Sequence, residues 1–284
     1  MVLESLFNPF RLKKRPLETF LAGVIFSFVG LILAYFVFRE VAGILTVFLI
    51  VIAILPMLFT TIQNEEELDV HSEQEWRLLA EHGKTITFLL FLFLGITFAL
   101  AFAYVFLPST VVSSVFNIQE KAILNVNDNI RGYLTGGVAH FDVFTRILIN
   151  NLKVLFFCLI FSFLYGTGAM FILTWNASVI AVAIGNLIKT ELGKTAAVVG
   201  MASLASYFNA ATFGFFRYMT HGVFEVAAYF VMALAGGIIS IAIIKHDLHN
   251  QKVVTDILDL ILISIGLLLI AGITEVYITP LFFH

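Results

Sequence analysis

Charge is what this chain has least of. Only 12% of its 284 residues are Asp, Glu, Lys or Arg, against 60% hydrophobic residues, a ratio that excludes a soluble globular domain of this length. The net charge of -3 leaves no basic field to attract nucleic acid. There is one cysteine, Cys158, inside an apolar run. It excludes an intramolecular disulfide and a cysteine-rich metal centre, and reads as a packing residue. Two motifs are also missing. No Gly-x-x-x-x-Gly-Lys-Ser/Thr loop is present to cradle a nucleotide, and no His-Glu-x-x-His is present to bind catalytic zinc.

What is present is a series of apolar runs near the ~20 residues that a bilayer core requires. They lie at about 17–38, 41–62, 85–107, 149–174, 195–216, 221–244 and 254–276. The fold expected is therefore all-α: a polytopic transmembrane bundle of about seven spans. A segment at 176–188 is too short to cross and reads as re-entrant. The connection 108–146 reads as an external lobe of amphipathic helices, with Val112, Val115 and Phe116 at helical spacing. The stretch from Gln63 to Lys84 carries Glu65, Glu66, Glu67 and Asp69 and reads as a solvated acidic loop.

Orientation follows from the basic residues. Arg11, Lys13, Lys14 and Arg15 precede the first run and place the N-terminus in the cytoplasm. Seven crossings of the plasma membrane then put the C-terminus outside. With 176–188 re-entrant, Lys189 and Lys194 fall on the cytoplasmic side. The first run leads straight into another span, so it reads as a retained helix rather than a cleaved signal. The chain divides into an N-terminal hairpin with its acidic loop, 1–84, and a second domain, 85–284.

Small residues mark helix contacts, because lipid offers no hydrophobic drive and close backbone approach must supply van der Waals contact instead. Ala196, Ala197, Gly200, Ser203 and Ala205 fall in one run, and Ala233, Gly236, Gly237 and Ser240 in the next, which predicts that the two pack together. The ionisable residues converge near the same place. His221 and Glu225 are four residues apart, on one helical face, and ionisable side chains within a span face protein or a water-filled cavity by default. Asn186, Asn209, Tyr229 and Glu275 are the other candidates for a polar cavity there. Asp256 and Asp259 mark its opposite mouth.

The order of these elements resembles a known family. Ile149-Asn150-Asn151-Leu152 opens a span, Gly166 and Gly168 follow, and Asn176 comes next. His221-Gly222-Val223-Phe224-Glu225 opens a later span, and Glu275-Val276-Tyr277-Ile278-Thr279-Pro280 lies near the end. Together these resemble the stage II sporulation protein M family, in its archaeal version, over about 85–281. Met219-Thr220 stands before the histidine where members often carry a proline. The resemblance implies an integral membrane protein; in spore-forming bacteria such proteins look like anchors for peptidoglycan-degrading partners during engulfment.

Three functional readings stay open. In the first, the chain is a non-catalytic scaffold or the membrane part of a transport system, and His221 and Glu225 cap and pin helices. In the second it is a channel or transporter, with His221 and Glu225 handling an ion or proton in the polar cavity. The third makes it a metal-dependent hydrolase: imidazole and carboxylate at this spacing suit zinc, with His140, Glu275 or His284 as a third ligand. The first two readings need no cofactor. The partners expected are the lipid bilayer, other membrane or envelope proteins and a second copy of the chain, with no nucleic acid.

Overall fold

The computed structural model describes residues 15–71, 75–124, 140–165, 168–199, 204–244 and 249–282. Nine helices run along them: α1 (Pro16–Val37), α2 (Ala42–His71), α3 (Glu75–Phe106), α4 (Ser109–Val115), α5 (His140–Tyr165), α6 (Ala169–Val199), α7 (Leu204–Ile244), α8 (Gln251–Ile273) and α9 (Thr279–Phe282). No strand occurs among the described residues. Seven of these stretches are long and apolar enough to cross a membrane. A span buried in hydrocarbon must satisfy every backbone polar group internally, and a helix does so within itself.

Glycines set the packing of the first three helices. A Cβ on Gly23 would stand 2.6 Å from the Leu92 carbonyl oxygen, and one on Gly95 would overlap the Phe20 carbonyl. α1 and α3 therefore touch backbone to backbone. Phe20 meets Phe98 at 5.7 Å and Phe28 meets Phe102 at 6.3 Å, so the two helices run parallel. Between them in the chain, α2 returns along α1, and Gly30 admits the Ile50 side chain.

The described part of the lobe after α3 is tied down. Val112, Val115 and Phe116 are buried, as their spacing predicted. Gln119, in a further helical stretch at 117–124, is only 1% exposed. Its amide donates to the Gly43 carbonyl at 3.4 Å and to the Ser178 hydroxyl at 3.3 Å, and the Tyr104 hydroxyl donates to Glu120 at 2.7 Å. The lobe is thereby fixed to α2, α3 and α6 at once. Residues 125–139 of the expected lobe lie outside the described residues, and 140–146 already belong to α5.

Seven crossings were expected, but the boundaries of the later ones differ. Residues 176–188 are not re-entrant; they sit inside α6, whose 31 residues are ample for a crossing. Asn176 and Asn186 depress the local hydropathy without interrupting the helix. The run 149–174 proves to be the end of α5 and the start of α6, split around Gly168. The runs 195–216 and 221–244 contribute to a single 41-residue helix, α7. Arg217, Thr220 and His221 lower hydropathy between those two runs, yet no proline stands there to break the helix. The acidic stretch 63–84 is largely helical as well, because α2 continues to His71 and α3 begins at Glu75.

Two consequences follow. From Leu204 onward the run 195–216 belongs to the same helix as Ala233 and Gly236, so the stripe does not pack on that part of it. Its partner is α5: a Cβ on Gly236 would lie 2.6 Å from the Leu159 carbonyl oxygen and 2.8 Å from the Ser162 Cβ. Because α6 crosses, Lys189 and Lys194 also move to the side occupied by the α1–α2 turn. In agreement, the Lys189 ammonium lies 4.3 Å from the Tyr104 ring centroid, near the C-terminal end of α3.

The backbone contact at Gly95 predicts that Gly95→Val costs roughly 1–3 kcal/mol by overpacking, read as a lower melting temperature in detergent; an unchanged melting point contradicts the α1–α3 contact. The crossing by α6 is checked by labelling. Cys158 is fully buried, so cysteines introduced as Arg39→Cys and Lys194→Cys report only their own access. A membrane-impermeant maleimide is expected to reach both from one side.

Candidate functional site

The site is built on α7 and on the end of α8. Arg217, His221, Glu225 and Tyr229 recur every four residues along α7, and side chains at that spacing share one helical face. The opposing wall comes from the chain after α8, where Thr274–Ile278 form a π-turn before α9. Pro280 explains that turn. It has no N–H to give to the Val276 carbonyl, and its ring would crowd that carbonyl in a regular α-helix. The turn widens, and the Thr279 N–H bonds to the Thr274 carbonyl instead. Single π-turns inside helices occur frequently at functional sites.

Thr279 uses its side chain as well. Its hydroxyl donates to the same Thr274 carbonyl at 3.0 Å, and its oxygen lies 3.4 Å from His221 Nδ1. With the hydroxyl proton given to Thr274, the oxygen can accept from the His221 tautomer that carries its hydrogen on Nδ1. Thr279 is thus the link from the π-turn to α7. One turn along, the Tyr229 hydroxyl donates to Glu225 Oε1 at 3.1 Å. Farther along the same interface, the Ser264 hydroxyl of α8 donates to the Ala228 carbonyl at 2.7 Å. The freed Thr274 hydroxyl turns back to Ile270 at 2.8 Å.

Electrostatics gathers the remaining groups. Glu275, on the π-turn, lies within interaction range of Glu225, Tyr229 and Tyr218. Arg217 acts on His221 and Tyr218. One guanidinium, one imidazole, two carboxylates and two phenols therefore share a small volume among the membrane-length helices. Tyr229 is 4% exposed, and His221, Glu225 and Glu275 are half-buried.

Of the residues singled out in the sequence, His221, Glu225, Tyr229 and Glu275 come together. Asn186 and Asn209 do not. Both are exposed, and Asn209 precedes His221 by twelve residues on the same helix, about 18 Å at 1.5 Å per residue. Asp256 and Asp259 occupy the far end of α8. Arg217 and Thr279 join the cluster although the sequence reading gave them no place in it. Their signals were the four-residue period extended back by one turn, and a threonine placed directly before a proline. As to a metal, no three His, Cys, Asp or Glu side chains converge to hold one among the described residues. The side chains of His140 and His284 fall outside them.

Seven membrane-length helices with an ionisable cluster between the last two define a polytopic integral membrane protein. The chain belongs to the Stage II sporulation protein M family, whose profile matches residues 19–280. That match takes in the α1–α2 hairpin, which the motif resemblance had left out. The chain is also similar to an uncharacterized protein of Methanocaldococcus jannaschii, at 30% identity over 191 residues, or 64% of this chain and 89% of that protein. No solved structure matches it.

If Thr279 carries the link between α7 and the π-turn, Thr279→Val lowers stability by about 0.5–1 kcal/mol, the usual scale of an interhelical hydrogen bond in a membrane. Combining it with His221→Ala is expected to add little, because both changes remove one contact. A double-mutant cycle on melting temperature checks this, and full additivity contradicts the link.

Proposed function

We propose that this protein is a non-catalytic membrane scaffold of the stage II sporulation protein M type, a rigid helical body that positions membrane or envelope partners. The observation that carries this reading is where the polar groups are used. His221 is engaged with Thr279, Glu225 with Tyr229, and Ser264 with the Ala228 carbonyl. Two of these three contacts bridge α7 to the segment that ends the bundle. His221, which would move a proton or an ion, is instead engaged across the helix interface, and Glu225 is held by a neighbour on its own helix.

A role as the membrane part of a transport system, or as a channel, makes a different demand: a polar route across the bundle. Asn186 and Asn209 lie away from His221 and Glu225, so the residues expected to extend that route do not extend it. A cavity of 1120 Å³ among the described residues is lined mostly by apolar side chains of α1, α3, α6 and α7. None of His221, Glu225, Tyr229 or Glu275 lines it.

Reconstitution separates the two roles. For a scaffold, proteoliposomes leak protons and monovalent cations no faster than protein-free vesicles, and Glu225→Gln leaves that baseline unchanged. A flux present in the wild type and abolished by Glu225→Gln transfers the assignment to transport.

A further inference from the structure

The 1120 Å³ cavity is a half-open groove between the α1–α3 pair and the α6–α7 pair. Its volume exceeds the ~300–1,000 Å³ typical of small-molecule pockets. Its walls are nearly devoid of polar atoms: Phe98 and Phe102 of α3, Ile184 of α6 and Phe215 of α7 are representative, with Ala101 and Ala211 leaving the space between them. All four helices are long and apolar enough to span a membrane. The medium at the open side is therefore hydrocarbon, and a water-soluble ligand would have to cross lipid to enter.

One end of the groove differs from the rest. Phe106 and Tyr207 close it with rings stacked at 5.8 Å and 19°, and a tyrosine with an apolar body and a polar tip suits the edge of a bilayer. Lys189 lies at that same end. It is not a lining residue itself but follows Ile188, which is, and its ammonium stands over Tyr104 at 4.3 Å. The nearby Glu120 carboxylate accepts from the Tyr104 hydroxyl. Lys189 itself has no carboxylate partner among the described residues. An apolar trough that ends at an aromatic edge with a lysine beside it matches one chemistry, a long hydrocarbon tail with an anionic head.

We propose that this groove is a binding site for a two-chain anionic phospholipid, with the acyl chains between α3 and α7 and the headgroup phosphate on Lys189. The inference is independent of the scaffold reading, since no residue of the His221–Thr279 cluster takes part. A second copy of the chain inserting a helix is the competing occupant. The concave shape and the single cation at one end favour the lipid.

The test is native mass spectrometry of the full chain after reconstitution into nanodiscs of equal phosphatidylglycerol and phosphatidylcholine. One phosphatidylglycerol per chain is expected to survive detergent release. Lys189→Gln is expected to cut the anionic-to-zwitterionic ratio of the retained lipid roughly fivefold, the scale of one lysine at an anionic surface, while leaving the melting temperature unchanged. Ala101→Phe combined with Ala211→Phe fills the groove and is expected to remove the lipid altogether. If that pair fails to fold, the Lys189→Gln ratio still decides. The proposal is overturned by a wild type that retains no lipid, by a ratio that Lys189→Gln does not move, or by a filled groove that dissociates a dimer while the lipid stays bound.

Discussion

The constraint on which everything else rests is that a backbone in hydrocarbon cannot leave its N–H and C=O groups unpaired. It makes each crossing a helix, and it shapes the exceptions. At Pro280 one N–H is missing and one carbonyl loses its donor. The chain answers with a π-turn in which both the N–H and the hydroxyl of Thr279 go to Thr274. The same repair presents the Thr279 oxygen to His221. A defect forced by proline thereby becomes the place where the last helix attaches to α7.

Packing follows a second rule with the same origin. Between helices in lipid, attraction comes from dispersion and interhelical hydrogen bonds, so it depends on how closely two backbones can approach. Gly23 and Gly95 bring α1 and α3 into backbone contact, and Gly236 does the same for α7 and α5. Where no such glycine brings two backbones together, aromatic rings keep the helices apart. The Phe98, Phe102 and Phe215 side chains stand at such a separation, and the groove is what remains.

How much of this was legible in the sequence depends on the kind of signal. Span number and class were, because long apolar runs have few alternatives. Span boundaries were less so, since hydropathy averages over a helix while polarity is local. Arg217 and His221 looked like the end of one span and the start of the next because polar residues usually mark a membrane surface. Here both lie within one continuous helix, with His221 facing the segment of the π-turn, and Asn176 and Asn186 misled in the same way inside α6. That His221 and Glu225 share one helical face was readable from periodicity, and Glu275 from its motif. That Thr279 makes the contact was not readable, because the contact depends on how the chain turns before Pro280. The groove left no motif at all, as it is defined by gaps between four helices.

These threads meet in α7. Its 41 residues extend about 60 Å at 1.5 Å per residue, twice the ~30 Å of a bilayer core, so it cannot lie upright wholly within hydrocarbon. Its three parts face three different demands. Residues 205–216 form a wall of the apolar groove, Arg217 to Tyr229 carry the polar face toward the π-turn, and Ala233 to Ala242 supply the small and aliphatic side chains buried beside α5 and α8. A helix divided in this way couples its parts mechanically. A rotation that brought Glu225 toward lipid would also carry the Phe215 ring out of the groove and lift Gly236 off the Leu159 carbonyl. The contacts at each end therefore resist exposure of the charges at the middle, which is how the bundle can keep two carboxylates and a histidine turned away from lipid.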